Sequence, residues 1–273
     1  MEPRLQRRIQ RYGWDLAAVD YEPLWQAQLA PGQAELMSQV AVAPGERVLD
    51  VACGTGLITL PAARAAGPGG RVLGVDISER MVQATLRYAR AEQLHQVDVA
   101  RMDAEQLNLP DAGFDVALCA FGLMYLPEPE RALSELRRVL RPGGRLGLAI
   151  WGERACCAWS ALFPIVDAEV ASEVCPLFFR LGQGDTLARC CEQAGFTQVR
   201  THRMQATLHY RDADEACRAA FVGGPVALAW SRMGEAARQR ACAAYLQAIE
   251  PWRAGTTYAV PAEFLISTAT SPS

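Results

Sequence analysis

The stretch Val48-Leu49-Asp50-Val51-Ala52-Cys53-Gly54-Thr55-Gly56 decides the fold of this 273-residue chain. An apolar, strand-like run leads into a glycine turn, and a helical pattern follows at residues 57–66. Glycines at such a turn let the backbone approach a bound ligand closely. The free N–H groups at the start of the following helix can bind a carboxylate or phosphate. The stretch therefore predicts a strand–turn–helix unit that holds a nucleotide-like ligand.

Outward from this turn, strand-like and helix-like segments alternate along the chain. The first five predicted strands are Arg47–Val51, Arg71–Asp76, Val97–Met102, Phe114–Ala120 and Arg145–Trp151. The helices predicted between them lie near 57–66, 79–92 and 128–140. Farther on, the patterns predict a helix at Gly184–Gly195, a strand at Thr197–Arg211, a mainly helical stretch at 213–253 and a last strand at Tyr258–Thr268. Such alternation is typical of an α/β fold, here a Rossmann-like, seven-stranded, mostly parallel sheet with helices on both faces.

The chain is predicted to divide into three parts. Residues 1–40 are expected to form an N-terminal helical lid, and Pro31-Gly32 is expected to break its helices. Residues 41–151 carry the glycine turn and form the ligand-binding core. Residues 152–273 are expected to complete the core and to add helical insertions that cap a substrate.

Composition excludes several classes of protein. The formal net charge of −3 does not suggest a basic face, so we expect no nucleic-acid partner. The apolar runs are shorter than the roughly 18–20 residues that a membrane helix needs, so we expect no membrane span. The nine cysteines include no CxxC pair, which favours buried thiols in a reducing cytoplasm over a disulfide framework or a metal site. A homodimer is left open.

Asp76 stands at a position where nucleoside sites often carry an acidic residue. It ends the second predicted strand, 20 residues after Gly56. A carboxylate at this spacing accepts hydrogen bonds from the two ribose hydroxyls. The alternative is that Asp76 caps the helix that begins near residue 79, but Ser78 is better placed for that role. We therefore assign Asp76 to a ribose.

Two further strand ends complete the predicted site. Asp103 follows the third strand in Met102-Asp103-Ala104-Glu105, where it can accept from the exocyclic amine of adenine or, alternatively, hold a turn. The fourth strand ends near Cys119, at the edge of the sheet where ligands of open α/β sheets lie. Asp115, at the start of that strand, is expected to hold its turn rather than to take part in chemistry.

A dinucleotide-binding site is the main alternative for the glycine turn. Thr59 stands where the dinucleotide fingerprint has its third glycine or alanine. Asp50, just before the turn, would repel a pyrophosphate. A carboxylate there suits a ligand with positive charge, and S-adenosyl-L-methionine carries both a sulfonium and an ammonium group.

Together with the segment 138–144, Arg-Val-Leu-Arg-Pro-Gly-Gly, these motifs resemble the class I S-adenosylmethionine-dependent methyltransferases. The resemblance is to the ubiquinone/menaquinone-biosynthesis type, the broad methyltransferase 11 group, and spans residues 45–151. Members usually have Gly where Ala52 stands. The resemblance implies S-adenosyl-L-methionine as cofactor and S-adenosyl-L-homocysteine as product. It implies this set of cofactor-binding residues: Asp50, Ala52, Cys53, Gly54, Gly56, Asp76, Ile77, Met81, Asp103, Ala104 and Cys119.

The implied reaction is in-line methyl transfer to a small-molecule acceptor at oxygen, carbon or nitrogen. Because the cofactor is already activated, the protein mainly supplies proximity and alignment. A hydroxyl acceptor also benefits from a general base. Among three histidines and Tyr125, His209 is the first candidate because it lies near the end of a predicted strand. The alternative function is a non-catalytic protein that binds the same cofactor for regulation.

Aromatic side chains supply the remaining candidates. Tyr12, Tyr21 and Trp25 are expected to close over the cofactor as part of the lid, or else to pack between helices. Phe121 and Met124 follow the fourth strand and, with the candidate base Tyr125, are expected to line the acceptor pocket or the core.

Overall fold

A computed structural model of the protein describes residues 2–170 and 178–273. Its helices are α1 (Pro3–Ala17), α2 (Tyr21–Val40), α3 (Thr59–Ala66), α4 (Glu79–Ala91), α5 (Pro129–Val139), α6 (Leu162–Glu169), α7 (Thr186–Gln193), α8 (Ala213–Phe221), α9 (Ala227–Arg232) and α10 (Glu235–Ile249). Its strands are β1 (Arg47–Val51), β2 (Arg71–Asp76), β3 (Val97–Arg101), β4 (Phe114–Ala120), β5 (Leu140–Trp151), β6 (Thr197–Tyr210), β7 (Arg253–Ala254) and β8 (Thr257–Thr270). Short 3₁₀ turns lie at Leu123–Tyr125, Arg154–Cys156, Ala158–Ala161 and Glu250–Trp252.

The described strands form one sheet in the order β3-β2-β1-β4-β5-β8-β6, and the two-residue strand β7 pairs with β8. Strands β1 to β5 are parallel, whereas β8 is antiparallel to both of its long neighbours. The predicted α/β fold is therefore confirmed, with β7 as a short addition to the seven predicted strands. The largest boundary difference is at β5, which begins at Leu140 directly after α5, whereas the predicted strand begins at Arg145.

The strand order reverses between β1 and β4, and this is where open α/β sheets bind their ligands. Ala52 and Phe121 follow these two strands, and both have a left-handed backbone with φ of 57°. That conformation is uncommon for any residue except glycine and costs free energy, so it points to a constrained site. Gly122 is required next to them, because a Cβ there would lie 2.3 Å from the Cβ of Ala52. The left-handed φ at position 52 is one that glycine would adopt without strain.

The expected helix break at Pro31-Gly32 is wrong. Helix α2 runs through both residues from Tyr21 to Val40. Gly32 serves close packing instead, because a Cβ there would lie 2.9 Å from the ring of Phe264 on β8 and 3.2 Å from the ring of Phe121. The glycine therefore lets α2 approach the sheet closely.

The predicted helical stretch between the last two long strands is present as α8, α9 and α10. It contacts the N-terminal helices directly. Arg218 of α8 forms an ion pair of 2.9 Å with Asp20, which precedes α2. In addition, Gly13 of α1 packs against α9, because a Cβ added at Gly13 would lie 3.7 Å from the Cβ of Leu228. The insertion thus supports the helices that cover the carboxyl edge of the sheet.

The cysteines of the described ranges are free thiols, and Cys175 lies outside those ranges. Within the same ranges, no group of three or more histidine, cysteine or acidic side chains is arranged to hold a metal ion. No helix among the described residues combines the length and the apolar character needed to cross a bilayer.

Candidate active site

A cavity of about 740 Å³, counting the space at its mouth, lies at the carboxyl edge of the sheet. The residues that line it come from the ends of β1, β2, β3 and β4 and from one face of α1. We call it the main cavity.

Asp76 lies in the wall of the main cavity with both carboxylate oxygens held by backbone groups. Gly54 N–H donates to Oδ2 at 3.0 Å, and Ser78 N–H donates to Oδ1 at 2.9 Å. Ser78 caps α4, because its Oγ accepts from Met81 N–H at 3.2 Å. A carboxylate oxygen can accept more than one hydrogen bond, so Asp76 can also accept from a ligand in the main cavity.

Asp50 and Asp76 are two buried acids with little to balance their charge. Burial raises the pKa of Asp50 to about 7, and the charge of Asp76 adds to that rise. Burial likewise raises the pKa of Asp76 to about 6. Thr59 Oγ1 donates to Asp50 at 2.6 Å, but no arginine of the described chain forms an ion pair with either acid. A ligand with positive charge would stabilise both carboxylates.

A second cavity, of about 270 Å³, lies behind the glycine turn and includes Asp50, Cys53 and Gln33 in its wall. We call it the turn cavity. It shares Ala52, Gly54, Ala120 and Tyr21 with the main cavity. The two spaces therefore adjoin at the turn. At Gly54, φ is 57° and a Cβ would have only the ring of Tyr21 within 4 Å, at 3.9 Å.

The far end of the main cavity lies beside Asp103 and Ala104, with the apolar side chains of Ile77 and Met81 in the same lining. Asp103 Oδ1 accepts from the backbone N–H of Glu105 at 3.0 Å, so this carboxylate also holds its own turn. Its other oxygen lies 3.3 Å from Arg7 Nε. Both roles considered for Asp103 are thus geometrically compatible.

Helix α1 covers the main cavity with one face. Arg7, Gln10 and Trp14 line the cavity, and their i, i+3, i+7 spacing places them on the same side of a helix. Arg7 is hydrogen-bonded to the buried carboxylate of Glu105. At the other end, Asp15 accepts from Ser78 Oγ at 2.6 Å. These contacts were not predicted from the sequence, although the i, i+3, i+7 spacing of Arg7, Gln10 and Trp14 is visible there.

A third cavity, of about 290 Å³, has walls made mostly of aromatic side chains. We call it the aromatic cavity. Among the described residues, seven of the ten in its lining are aromatic: Trp14, Tyr21, Trp25, Phe121, Tyr125, Trp151 and Trp159. The other three are Leu29, Gly224 and Pro225. It adjoins the main cavity at Trp14, Tyr21, Phe121 and Tyr125.

One face of α2 connects the three spaces. Tyr21 lines all three cavities, Trp25 and Leu29 line the aromatic cavity, and Gln33 lines the turn cavity. These four residues follow one another at intervals of four, so they form a single stripe along the helix. Burial, together with the charge of Asp76, raises the pKa of the Tyr21 phenol, which therefore stays protonated near neutral pH.

Comparison with known proteins assigns this architecture to a family. Residues 48–144 match the family model described as a methyltransferase domain. The ubiquinone/menaquinone biosynthesis C-methyltransferase UbiE of Ralstonia pickettii is 36% identical over 188 residues, which cover 62% of this chain and 75% of that protein. The chain belongs to the class I S-adenosylmethionine-dependent methyltransferases. It spans about half the length of other curated relatives that it matches.

Solved structures of related fold include proteins with different activities. The [4+2]-cyclase SpnF is 26% identical with a TM-score of 0.58, and the match covers 88% of this chain and 79% of that one. The phosphoethanolamine N-methyltransferase 2 of Haemonchus contortus, solved with S-adenosyl-L-methionine, is 17% identical with a TM-score of 0.61. That match covers 95% of this chain and 57% of the other. At 17% identity, the second likeness concerns the fold alone.

The residues of the site fit the methyltransferase cofactor. A ribose offers two hydroxyl donors to the carboxylate of Asp76. S-adenosyl-L-methionine carries two positively charged groups, the sulfonium and the ammonium. Their charge would balance the buried carboxylates of Asp50 and Asp76. Nine of the eleven predicted cofactor residues line the main cavity or the turn cavity.

The other two predicted cofactor residues, Gly56 and Cys119, lie behind the surface of these cavities. Gly56 has φ of 99° and packs against Thr85, whose Cγ2 would lie 3.1 Å from a Cβ at that position. Cys119 is buried beneath Gly122, where its Sγ would lie 3.1 Å from an added Cβ. Both residues shape the strand ends from behind, and direct contact with the cofactor stays a prediction.

The two predicted catalytic residues lie in different surroundings. Tyr125 lines both the main and the aromatic cavities. His209 is exposed on β6, where the flanking residues Leu208 and Tyr210 are buried and therefore occupy the opposite face of the strand. Its backbone N–H donates to Gln28 Oε1 at 2.9 Å. The imidazole of His209 is absent from the lining of the three cavities, so the geometry gives no support to its role as a base.

The remaining aromatic and acidic candidates are also placed by the structure. Tyr12 is 43% exposed and lines none of the three cavities, whereas Tyr21 lines all three and Trp25 lines the aromatic cavity. Met124 is buried without lining them either. Asp115 holds the start of β4, because it accepts from Arg47 N–H at 2.7 Å and pairs with Arg141, as expected for a structural carboxylate.

Proposed function

We propose that this chain transfers the methyl group of S-adenosyl-L-methionine to a small-molecule acceptor. The observation that carries the proposal is that three cavities adjoin at Tyr21. A cofactor held by Asp76 in the main cavity and by Asp50 in the turn cavity passes the point where the aromatic cavity opens. An acceptor in the aromatic cavity would therefore be next to the centre of the cofactor.

Each part of the cofactor has a proposed partner. Asp76 accepts from the ribose hydroxyls, Asp103 accepts from the adenine amine, and Ile77 packs on the adenine face. Asp50 attracts the methionine ammonium through the turn cavity. When bound, the cofactor supplies an electrophilic methyl group, whose bond to sulfur breaks with both electrons going to sulfur as the electron pair of the acceptor attacks.

The protein contributes mainly by positioning. Among the described residues that line the aromatic cavity, none is a carboxylate, a histidine, an arginine or a thiol. Tyr21 stays protonated because of its raised pKa and can donate a hydrogen bond but not remove a proton. We therefore propose that the acceptor is nucleophilic on arrival or loses its proton to water, and that Tyr125 contacts it without acting as a strong base.

The named relatives suggest a first acceptor to test. The Ralstonia pickettii protein is a C-methyltransferase of ubiquinone and menaquinone biosynthesis. A quinol ring carbon is activated by its hydroxyl groups and needs no strong base, so it is compatible with the walls described above. We propose quinol C-methylation as the first reaction class to examine.

Two measurements test the proposal. Isothermal titration calorimetry with S-adenosyl-L-methionine and S-adenosyl-L-homocysteine is expected to show binding of both at micromolar concentration. Incubation with the methyl-labelled cofactor and a panel of quinols, phenols, thiols and amines is expected to label one class. Absence of binding refutes the proposal, whereas binding without transfer to any acceptor class favours the non-catalytic alternative.

A further inference from the structure

The indole of Trp25 carries a buried hydrogen-bond donor that no described residue accepts. Trp25 lies on α2, is 4% exposed and lines the aromatic cavity. Its Nε1 has no hydrogen-bond partner within the described part of the protein. Buried indole N–H groups usually find a partner, because an unpaired one loses its hydration without compensation. The missing partner is therefore expected to be a bound molecule.

The space in front of this donor is kept open by a glycine. Gly224 lines the aromatic cavity, and a Cβ placed there would lie 3.7 Å from Trp25 Nε1. A side chain at position 224 would therefore narrow the cavity in front of the indole N–H. The Nε1 of Trp159, in the same lining, is likewise buried without a hydrogen-bond partner among the described residues, but the open position at Gly224 faces Trp25 and not Trp159.

The walls of the aromatic cavity restrict the charge of its occupant. The described lining contains no carboxylate to pair with a cation and no arginine to pair with an anion. An anion would be costly to bury there. Aromatic faces attract cations, so an amine is the main competing occupant. An ammonium group, however, has only donors and would leave the Trp25 N–H unpaired.

We propose that the aromatic cavity binds the methyl acceptor as an uncharged, flat ring compound whose oxygen accepts a hydrogen bond from Trp25 Nε1. This inference rests on the proposed function, which places the acceptor in that cavity. Trp25 is then a specificity-determining residue that orients the ring next to Tyr21, where the cavities adjoin. Its expected preference is for a carbonyl or hydroxyl oxygen over a bare hydrocarbon of the same shape.

Three probes of one shape test this preference. α-Tetralone carries a carbonyl oxygen, tetralin lacks it, and 1-aminotetralin replaces it with a cation. Equilibrium dialysis, with and without S-adenosyl-L-homocysteine, gives the affinity of each probe. We expect α-tetralone to bind at least about tenfold more tightly than tetralin, the ratio that one hydrogen bond to a buried donor can supply. We expect 1-aminotetralin to bind more weakly than α-tetralone.

Matched variants separate the donor from the wall. Trp25→Phe removes the N–H but keeps an aromatic ring, and it is expected to lower the α-tetralone to tetralin ratio to about one. Trp151→Phe makes the same change elsewhere in the lining and is expected to weaken both probes alike. If Trp25→Phe does not fold, Gly224→Ala tests the same point, because its added Cβ contacts only atoms at 3.4 Å or more. It is expected to weaken α-tetralone selectively.

Three results would overturn the inference. The first is tightest binding of 1-aminotetralin, which would indicate a cation site. The second is an unchanged probe ratio in Trp25→Phe or, if that variant does not fold, in Gly224→Ala. The third is no binding of any probe to the wild-type protein up to its solubility limit. Failure of S-adenosyl-L-methionine to bind in calorimetry is a separate result, which refutes the proposed function and not the chemistry of the aromatic cavity.

Discussion

Raising the pH from 5.5 to 7.0 is expected to tighten S-adenosyl-L-methionine binding by roughly 60-fold, because two buried carboxyls must ionise before they bind the cofactor, and Asp50 supplies about 16-fold of this change and Asp76 about fourfold. Burial raises the pKa of Asp50 to about 7. At pH 6, only about a tenth of this carboxyl is therefore ionised in the free protein. A bound cation restores the ionised form, and binding at pH 6 should release about 1.4 protons, about 0.9 from Asp50 and about 0.5 from Asp76. The α-amino group of the cofactor stays protonated over this range.

Calorimetry in two buffers with different enthalpies of protonation measures both quantities. Asp50→Asn keeps an oxygen that can accept from Thr59 Oγ1, so the fold of the turn is expected to survive. In that variant the change in affinity over the same pH range should shrink to about fourfold, which is the contribution of Asp76 with its pKa of about 6. An affinity that does not vary with pH, or a slope that Asp50→Asn leaves unchanged, would refute the assignment of Asp50 to the charged end of the cofactor.

Three further predictions concern stability, the ribose and the lid. The buried carboxyls of Asp50 and Asp76 bind more protons in the native state than in the unfolded chain. The free energy of unfolding without ligand should therefore fall by about 4 kcal/mol from pH 5 to 7.5, which urea denaturation can measure. Saturating cofactor should make the free energy of unfolding less dependent on pH. Asp76→Ala should weaken cofactor binding about 100-fold in calorimetry, since two hydrogen bonds to a charged acceptor are lost, whereas the exposed Asp98→Ala should not. Arg7→Ala should lower the free energy of unfolding by about 2 kcal/mol and make α1 accessible to proteolysis, because the buried carboxylate of Glu105 loses its ion-pair partner. The control is Arg4→Ala, at an exposed position of the same helix. Equal effects of the two substitutions would argue against the importance of the Arg7–Glu105 pair.

The cofactor side of the site was predictable because its signals are local in the sequence. The glycine turn, Asp76 and Asp103 each follow a recognisable strand, and parallel strands bring their carboxyl ends to one edge. Asp50 was predicted as a charge unsuited to a pyrophosphate, and the structure adds that burial raises its pKa to about 7.

The remaining features depend on contacts between distant segments, which single-sequence patterns do not report. Pro31-Gly32 resembles a helix end, but Gly32 is needed because α2 lies against Phe264, more than 200 residues later. The lining role of Arg7 required the docking of α1 on the loop after β3. The exposure of His209 could not be predicted either, because it depends on which face of β6 the rest of the protein covers. Only the tertiary structure determines these contacts.

The stripe of residues along α2 has a consequence for how this enzyme family can diversify. Tyr21 lines the main, turn and aromatic cavities. Of these three cavities, Trp25 and Leu29, one and two helical turns farther along α2, line the aromatic cavity alone. A single continuous segment of 20 residues thus lines the proposed cofactor site at one position and the proposed acceptor cavity at the next two. Exchange of this one helix between relatives, or directed evolution confined to its second and third turns, would change acceptor choice while the strand ends that hold the nucleoside stay untouched.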